Sequence, residues 1–446
     1  MTTPIFDFVK KYSESQAARM HMPGHKGLGE LGCEQYDITE ISGADVLYSA
    51  DGIINESENN LTALYGTEHS FYSTQGSTLA IFAMLALVAK SESGERPLIL
   101  AARNVHTAFV KAAALLDFDV EWIYPEQQEH LCSCKITSSD LKDAFARASK
   151  KPSAVYVTSP DYLGKMLDIA TLSRVCGEYG VPLLVDNAHG AYLKFLDKDL
   201  HPITLGAAMC ADSAHKTLPV LTGGAYLHIS KNFPSYARDA RRALSLFAST
   251  SPSYLTLCSL DICNKHLAEE YSKKLASVCT LVARYKAEME KCDFVVEESE
   301  PLKIVINAKR SGTTTQKIAK SLRSLGVEPE FVDNEYVVLM PSAETKQEDL
   351  EKTLNALKKV DTSSKNNFEN ANLFPKTHEK AMGIREAMFS ESESVKADEA
   401  EDKICAAPTV SCPPAVPIVV SGEKITKADI ELFKLYGVDE IDVVKE

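Results

Sequence analysis

The stretch Val181-Pro182-Leu183-Leu184-Val185-Asp186-Asn187-Ala188-His189-Gly190 runs through aliphatic residues and a proline and then stops on a carboxylate. A short apolar run closed by Asp, Asn and Gly reads as a strand buried on both faces, here 182–186, with Asp186 at its C-terminal end. The same kind of run recurs at 97–101, 120–124, 154–158, 208–213 and 224–229, and helix-like runs such as 77–90 and 171–179 separate several of these. Alternation of that sort from Ser77 to about Ile229 predicts an α/β domain with a mostly parallel central sheet flanked by helices. In open sheets of this class ligands collect beyond the C-terminal ends of the strands, which is where Asp186 lies.

Beyond this domain, 253–291 reads as helical almost throughout, and a smaller α/β pattern follows at 303–307, 314–325, 328–332, 336–340 and 347–358. The expected division is an N-terminal segment 1–55, a large domain 56–270, and a connecting helix with a small C-terminal α/β domain over 271–446, which contains a polar acidic stretch at 361–414. Within that stretch SESESVKADEAEDK (390–403) reads as a solvated helix or linker, and PPAVP (413–417) as extended chain.

The 446 residues suit one large and one smaller domain, and 45% hydrophobic with 25% charged composition is that of a soluble globular protein. A formal net charge of -14 repels phosphate backbones and argues against a nucleic-acid partner. The 11 cysteines are odd in number and include no Cys-x-x-Cys pair, which points to reduced thiols in a cytoplasmic protein and away from a metal site. Acidic residues at Asp7 and Glu14 break any signal peptide, and the longest apolar run, LAIFAMLALVA at 79–89, is well short of the roughly 20 residues that span a bilayer, so no membrane association is expected.

The chemistry concentrates in Ala211-Asp212-Ser213-Ala214-His215-Lys216-Thr217, directly after the strand 208–213. A lysine leaving the functional edge of a sheet, beside an imidazole and hydroxyls, suits Schiff-base chemistry, which needs the neutral amine. By itself it is a surface lysine, and Asp186 by itself closes a strand. Together they acquire a common purpose, because a buried carboxylate facing a pyridine nitrogen favours a protonated ring and a better electron sink. Ser73-Thr74-Gln75-Gly76-Ser77-Thr78 opens an apolar helix with free N–H groups, a glycine and two hydroxyls, the groups that receive a phosphate dianion; an ordinary N-cap explains the same residues. Arg103-Asn104-Val105-His106 ends the strand 97–101 and offers an imidazole to the face of a planar cofactor. Phosphate-loop helix, stacking His106, ring-nitrogen Asp186 and Lys216 follow in the order that one pyridoxal 5'-phosphate (PLP) in one sheet requires, with PLP held as an internal aldimine on Lys216.

With these motifs the chain resembles the Orn/Lys/Arg decarboxylases, a family of PLP enzymes of fold type I (aspartate-aminotransferase-like), in its short form. The resemblance rests on His21-Met22-Pro23-Gly24-His25-Lys26-Gly27, the Gly76-Ser77-Thr78 helix start, Arg103–His106, Asp186-Asn187-Ala188-His189, Ser213-Ala214-His215-Lys216-Thr217-Leu218, Ser249-Thr250-Ser251-Pro252-Ser253-Tyr254 and the Pro-rich 413–417 with Gly422-Glu423. It implies Lys216, Asp186 and His106 as catalytic residues. Gly76, Ser77, Thr78, Ser213 and His215 would serve the phosphate, with Ala188 and His189 beside the ring. Ser249 and Ser251 would reach the phosphate of a neighbouring subunit, so that a homodimer shares its active sites, and the 1–55 segment would line the entrance. The implied reaction is decarboxylation of lysine, ornithine or arginine to the amine and CO2, a carboxy-lyase step (EC 4.1.1.-) of the kind found in polyamine biosynthesis.

Gln75, Asn187, Thr107-Ala108, Gly223-Gly224 and Asp402-Lys403 depart from the family pattern, which leaves the substrate open among basic amino acids. An aminotransferase or β-lyase of the same fold keeps the same residues, and a non-catalytic scaffold is disfavoured by retention of Lys216, Asp186 and His106 together. Pro23-Gly24 forbids the helix on which His21 and His25 would suit a metal. Asp45, Asp51 and Glu56 are the nearby carboxylates available to a substrate's distal cation.

Overall fold

Aliphatic runs too short for helices form the strands β1 (His69–Ser73), β2 (Leu98–Ala102), β3 (Asp119–Ile123), β4 (Ala154–Thr158), β5 (Leu183–Asp186), β6 (Met209–Asp212) and β7 (Ala225–Ile229). The computed structural model describes residues 1–89, 94–126, 130–363, 377–407 and 415–445. Contacts among these residues define two compact units: 1–89 with 169–275, and 94–168 with 276–445.

In the first unit the strand order is β1-β7-β6-β5. The β5 and β6 strands pair in parallel with Asp186 opposite Ala211, while β7 runs antiparallel to both β6 and β1. Strands β5, β6 and β7 are buried along their whole length, so they read as mostly apolar runs, interrupted by His228 in β7 and closed by Asp186 and Asp212 in β5 and β6. The helix Gly76–Val88 is apolar on every side and packs on β6, β7 and the helix Ser235–Ser245, which buries nearly all of it and leaves the first turn accessible. Strand β1 is invisible to hydropathy because Ser70 and Ser73 are buried polar positions; Ser70 Oγ lies 2.7 Å from both Thr67 Oγ1 and His228 Nδ1.

The second unit holds β4, β2 and β3 in that order, all parallel. It also holds an antiparallel sheet of β8 (Val295–Val296), β9 (Ile304–Asn307), β10 (Phe331–Val332) and β11 (Tyr336–Leu339), with helices Thr315–Ser324 and Gln347–Leu357 packed together beside it. The central strands are mostly parallel and flanked by helices, the α/β class expected. The helical stretch expected over 253–291 consists of Tyr254–His266, a π turn Leu267–Tyr271 and Ser272–Glu290.

Expectations fail at two places. The acidic stretch 390–403 is not a solvated helix or plain linker: β12 (Ser392–Lys396) pairs antiparallel with β13 (Glu440–Val444), Val395 opposite Ile441, followed by a 3-10 turn Ala397–Glu399. Val395 and Ala397 lean on a cluster built around Cys405, Val419, Leu432, Phe433 and Val443, while the charged residues of β12 face water. A strand with one apolar contact depends on its partner, and that partner lies more than forty residues downstream. The expected extended conformation of 413–417 fails at Ala415, whose φ of +59 is left-handed, because Ala415 precedes Val416 and not a proline, so no ring restrains it; 413–414 and part of the 361–414 stretch lie outside the described residues. No helix among the described residues is long and apolar enough to cross a membrane.

Candidate active site

The ends of β5 and β6 and the start of the helix Gly76–Val88 bring together most of the predicted residues of the first unit. Asp186 closes β5 at 2% exposure, and its Oδ1 accepts the Ala188 N–H at 3.2 Å. That bond turns the chain sharply so that His189 follows on the same end. Ser213 leaves β6 and donates its hydroxyl to Ser77 Oγ at 2.6 Å, joining the strand end to the first turn of the helix. One turn later, Lys216 Nζ lies 3.1 Å from His189 Nε2. The backbone N–H and the Nδ1 of His215 both reach Gly224 O, at 3.1 and 3.0 Å. A carbonyl only accepts, so the Nδ1 carries the proton and the neutral ring keeps a lone pair on Nε2.

The helix start is built to receive an anion. Gly76 sits at φ +72, a left-handed conformation that favours glycine, and a Cβ placed there would meet no atom within 4 Å. Its N–H goes to Gly223 O at 2.7 Å, and no side chain caps the helix, which leaves the next amides and the Ser77 and Thr78 hydroxyls for a ligand. Ser249 and Ser251 are exposed, and the Ser249 N–H donates to the side-chain oxygen of Gln75 at 3.2 Å, so the departure at position 75 ties the Thr-Ser-Pro segment to the helix start. A lysine amine, a buried carboxylate and an uncapped helix N-terminus within one unit match the three demands of PLP: an amine for its aldehyde, a partner for its ring nitrogen and donors for its phosphate.

His106 belongs to the second unit. It is the N-cap of the helix Thr107–Leu116, where its Nδ1 accepts the Ala108 N–H at 3.1 Å, so its neutral ring carries the proton on Nε2 in a fixed orientation. Arg103 of the same motif is buried and donates to Pro417 O, Ile418 O and Glu423 at 2.9 to 3.1 Å, a job of holding the C-terminal segment.

Several side chains carry loads that differ from the expected ones. Asp45, a candidate for a substrate cation, accepts the N–H groups of Val46, Gly52 and Ile54 at 2.8, 2.9 and 3.0 Å and so caps the helix Ile53–Tyr65. His21 and His25 take separate partners, Tyr12 and Asp37. Asn187, named above only as a departure from the family pattern, and Asp212, His201 and His228, given no role there, are all fully buried. The signal available was a charged residue at the end of an apolar strand, but its three partners come from distant positions.

The family model described as Orn/Lys/Arg decarboxylase, major domain, matches residues 3–308, and the C-terminal domain model of the same family matches 364–438. An arginine decarboxylase of Bacillus subtilis is 28% identical over 97% of this chain and 93% of its own length. Another, from Bacillus anthracis, is 26% identical over 97% and 92%. Among solved structures, the lysine decarboxylase of Francisella novicida superposes with a TM-score of 0.82 at 17% identity, covering 99% of this chain and 81% of that one.

Proposed function

The chain belongs to the Orn/Lys/Arg decarboxylase family of PLP-dependent carboxy-lyases, and on that premise we propose that it decarboxylates a basic amino acid, arginine before lysine or ornithine, giving CO2 and the corresponding amine. What carries this reading is the convergence of Lys216, Asp186 and the Ser77–Ser213 pair at one end of β5 and β6. The preference for arginine comes from the names of relatives matched over nearly their whole length.

When bound, PLP supplies the electron sink for the bond broken at the substrate's Cα. The protein's own residues do the rest. Lys216 would hold the cofactor through its amine, and His189 Nε2, 3.1 Å from Lys216 Nζ, would take up and return that amine's proton. Asp186 would hold the pyridine nitrogen protonated, as a buried carboxylate favours a neighbouring cation. Ser77, Thr78, Ser213 and His215 would take the phosphate with the amides that follow Gly76, Ala188 would adjoin the ring, and the ring-facing role that the resemblance implies would fall to His106. Ser249 and Ser251 serve the phosphate of a second copy in a cytoplasmic homodimer, where the 1–55 segment lines the entrance. Each turnover consumes one proton, at Cα.

The test is to incubate purified protein and PLP with arginine, lysine and ornithine separately, following CO2 and keto acid. CO2 released in amounts equal to amine, fastest with arginine, is the expected result. Keto acid without CO2 overturns decarboxylation in favour of transamination, and a visible cofactor absorbance unchanged in Lys216→Ala overturns the assignment of Lys216.

A further inference from the structure

We propose that Asp212 is a positioning residue for this site: through Asn187 it holds the 186–190 turn that presents Asp186 and His189, and it sets that turn against Ser213 and Lys216. The inference rests on the roles given above to Asp186 and Lys216.

Asp212 is the last residue of β6 and fully buried. Its Oδ1 accepts Asn187 Nδ2 at 2.7 Å and the Cys210 thiol at 3.7 Å; its Oδ2 accepts His201 Nε2 at 3.0 Å, with His228 Nε2 at 3.3 Å. His201, Cys210 and Asp212 are near enough to be read as metal ligands. Three hydrogen-bond donors, with the His228 ring at ion-pair distance, instead describe an anion whose acceptor capacity is largely taken up by protein groups. Burial alone would push the Asp212 carboxyl up, but the His201 and His228 imidazoles outweigh it and hold the carboxyl well below the usual range, so the anion persists.

From this anion the constraint passes along two routes. Asn187, the residue after Asp186, is held at its side chain by Asp212 and at its backbone N–H by Ala211 O at 2.9 Å. A Cβ on Gly190 would lie 2.0 Å from Asn187 Oδ1, so the turn closes tightly over that side chain, and Gly190 N–H returns to Asn187 O at 2.8 Å. The other route is covalent: Ser213 follows Asp212 directly, and the Lys216 N–H caps back on Ser213 O at 3.0 Å. On the far side, His228 of β7 lies with its Nδ1 2.7 Å from Ser70 Oγ of β1, and Tyr65 stacks on its ring at 4.3 Å between centroids. The carboxylate therefore gathers groups from the end of β5, from β6 and from β7 next to the residues assigned to the cofactor; Asn187 Oδ1, His201 Nδ1 and His228 Nε2 make no hydrogen bond, so the constraint runs through the bonds that Asp212 itself accepts.

The experiment is a double-mutant cycle on the full-length protein loaded with PLP, using Asp212→Asn, Asn187→Ala and the pair. Charge-assisted hydrogen bonds of this type correspond to about a 10- to 100-fold change in kcat when lost. Each single variant should show that loss, with KM for the amino acid within about threefold. Each should also change the visible circular dichroism of bound PLP, which reports cofactor orientation and does not follow from a lower melting temperature alone. The double variant should be no worse than the worse single. Additive losses, or an unchanged dichroism band in both singles, overturn the proposal. If Asp212→Asn does not fold, Asn187→Ala decides: wild-type kcat and dichroism overturn it, and loss of both supports it. Failure of the underlying reading has different signatures, keto acid without CO2 from the wild type for the reaction and an unchanged cofactor absorbance in Lys216→Ala for the lysine, whatever the cycle gives.

Discussion

Asp186 illustrates how little a residue's type reveals about its use. Asp45 and Asp186 both looked like carboxylates near an entrance or a strand end, yet Asp45 spends its oxygens on the amides that open the helix Ile53–Tyr65. Asp186 is 2% exposed, and the contact made by its Oδ1 is the Ala188 N–H two residues on. In the role proposed for it, removing its charge strands a protonated ring nitrogen in a buried site, a loss on the order of 3 to 5 kcal/mol. Asp186→Ala should then lower kcat by at least about a hundredfold, with bound PLP still visible because Lys216 remains. CO2 release under saturating amino acid checks this; a variant that keeps a third of wild-type turnover removes Asp186 from the mechanism.

At the level of elements, long-range anchors decide which helices and strands persist. The N-terminal helix Pro4–Ser13 packs on Tyr254–His266 and on Ile53–Tyr65, and it is fixed by the Phe6 N–H donating to Asp261 Oδ2 at 3.0 Å. Burial raises the Asp261 carboxyl to about 6, against the bonds from Ser57 and the Phe6 N–H that lower it. An unfolded Asp titrates near 4, so the folded state binds this proton more tightly. The cost of ionising it is absent below about pH 4, grows between about 4 and 6, and is complete above. Stability contributed by this group thus falls as pH rises through that window, by ~3 kcal/mol. The Asp261→Asn variant lacks the slope, so the melting temperature of wild type should gain on it as pH drops from about 6.5 to about 4.5. Parallel curves for the two proteins refute the assignment. The β12–β13 pair makes the same point without titration: Ser-Glu-Ser-Val-Lys has almost no local reason to be a strand, and becomes one because β13 lies beside it.

For the whole molecule, the decisive prediction concerns two copies. If Ser249 and Ser251 of one subunit complete the site of another, then Lys216→Ala and the Ser249→Ala/Ser251→Ala double variant should be nearly inactive separately and regain activity when mixed under conditions that exchange subunits. Random exchange places one intact site in half of the dimers, about a quarter of wild-type activity. No recovery, with exchange verified by a tag on one variant, would confine each site to one chain. Much of this molecule was readable along the chain. The strands ending at Asp186 and Asp212, the uncapped helix after Gly76 and the place of Lys216 follow from periodicities of two and 3.6 and from residues adjacent in sequence, because hydropathy and capping act over a few residues. The small β8–β11 sheet was legible in part for the same reason. Folding alone could decide that Asp212 meets Asn187, His201 and His228, that Asp45 caps a helix, and that an acidic stretch pairs with β13. These depend on which distant segments share a neighbourhood, and neither composition nor local period carries that information. At Lys216 the two kinds of knowledge meet: its neighbours in the chain identify it, and the approach of His189 at 3.1 Å, brought by a different strand, gives its amine a proton partner.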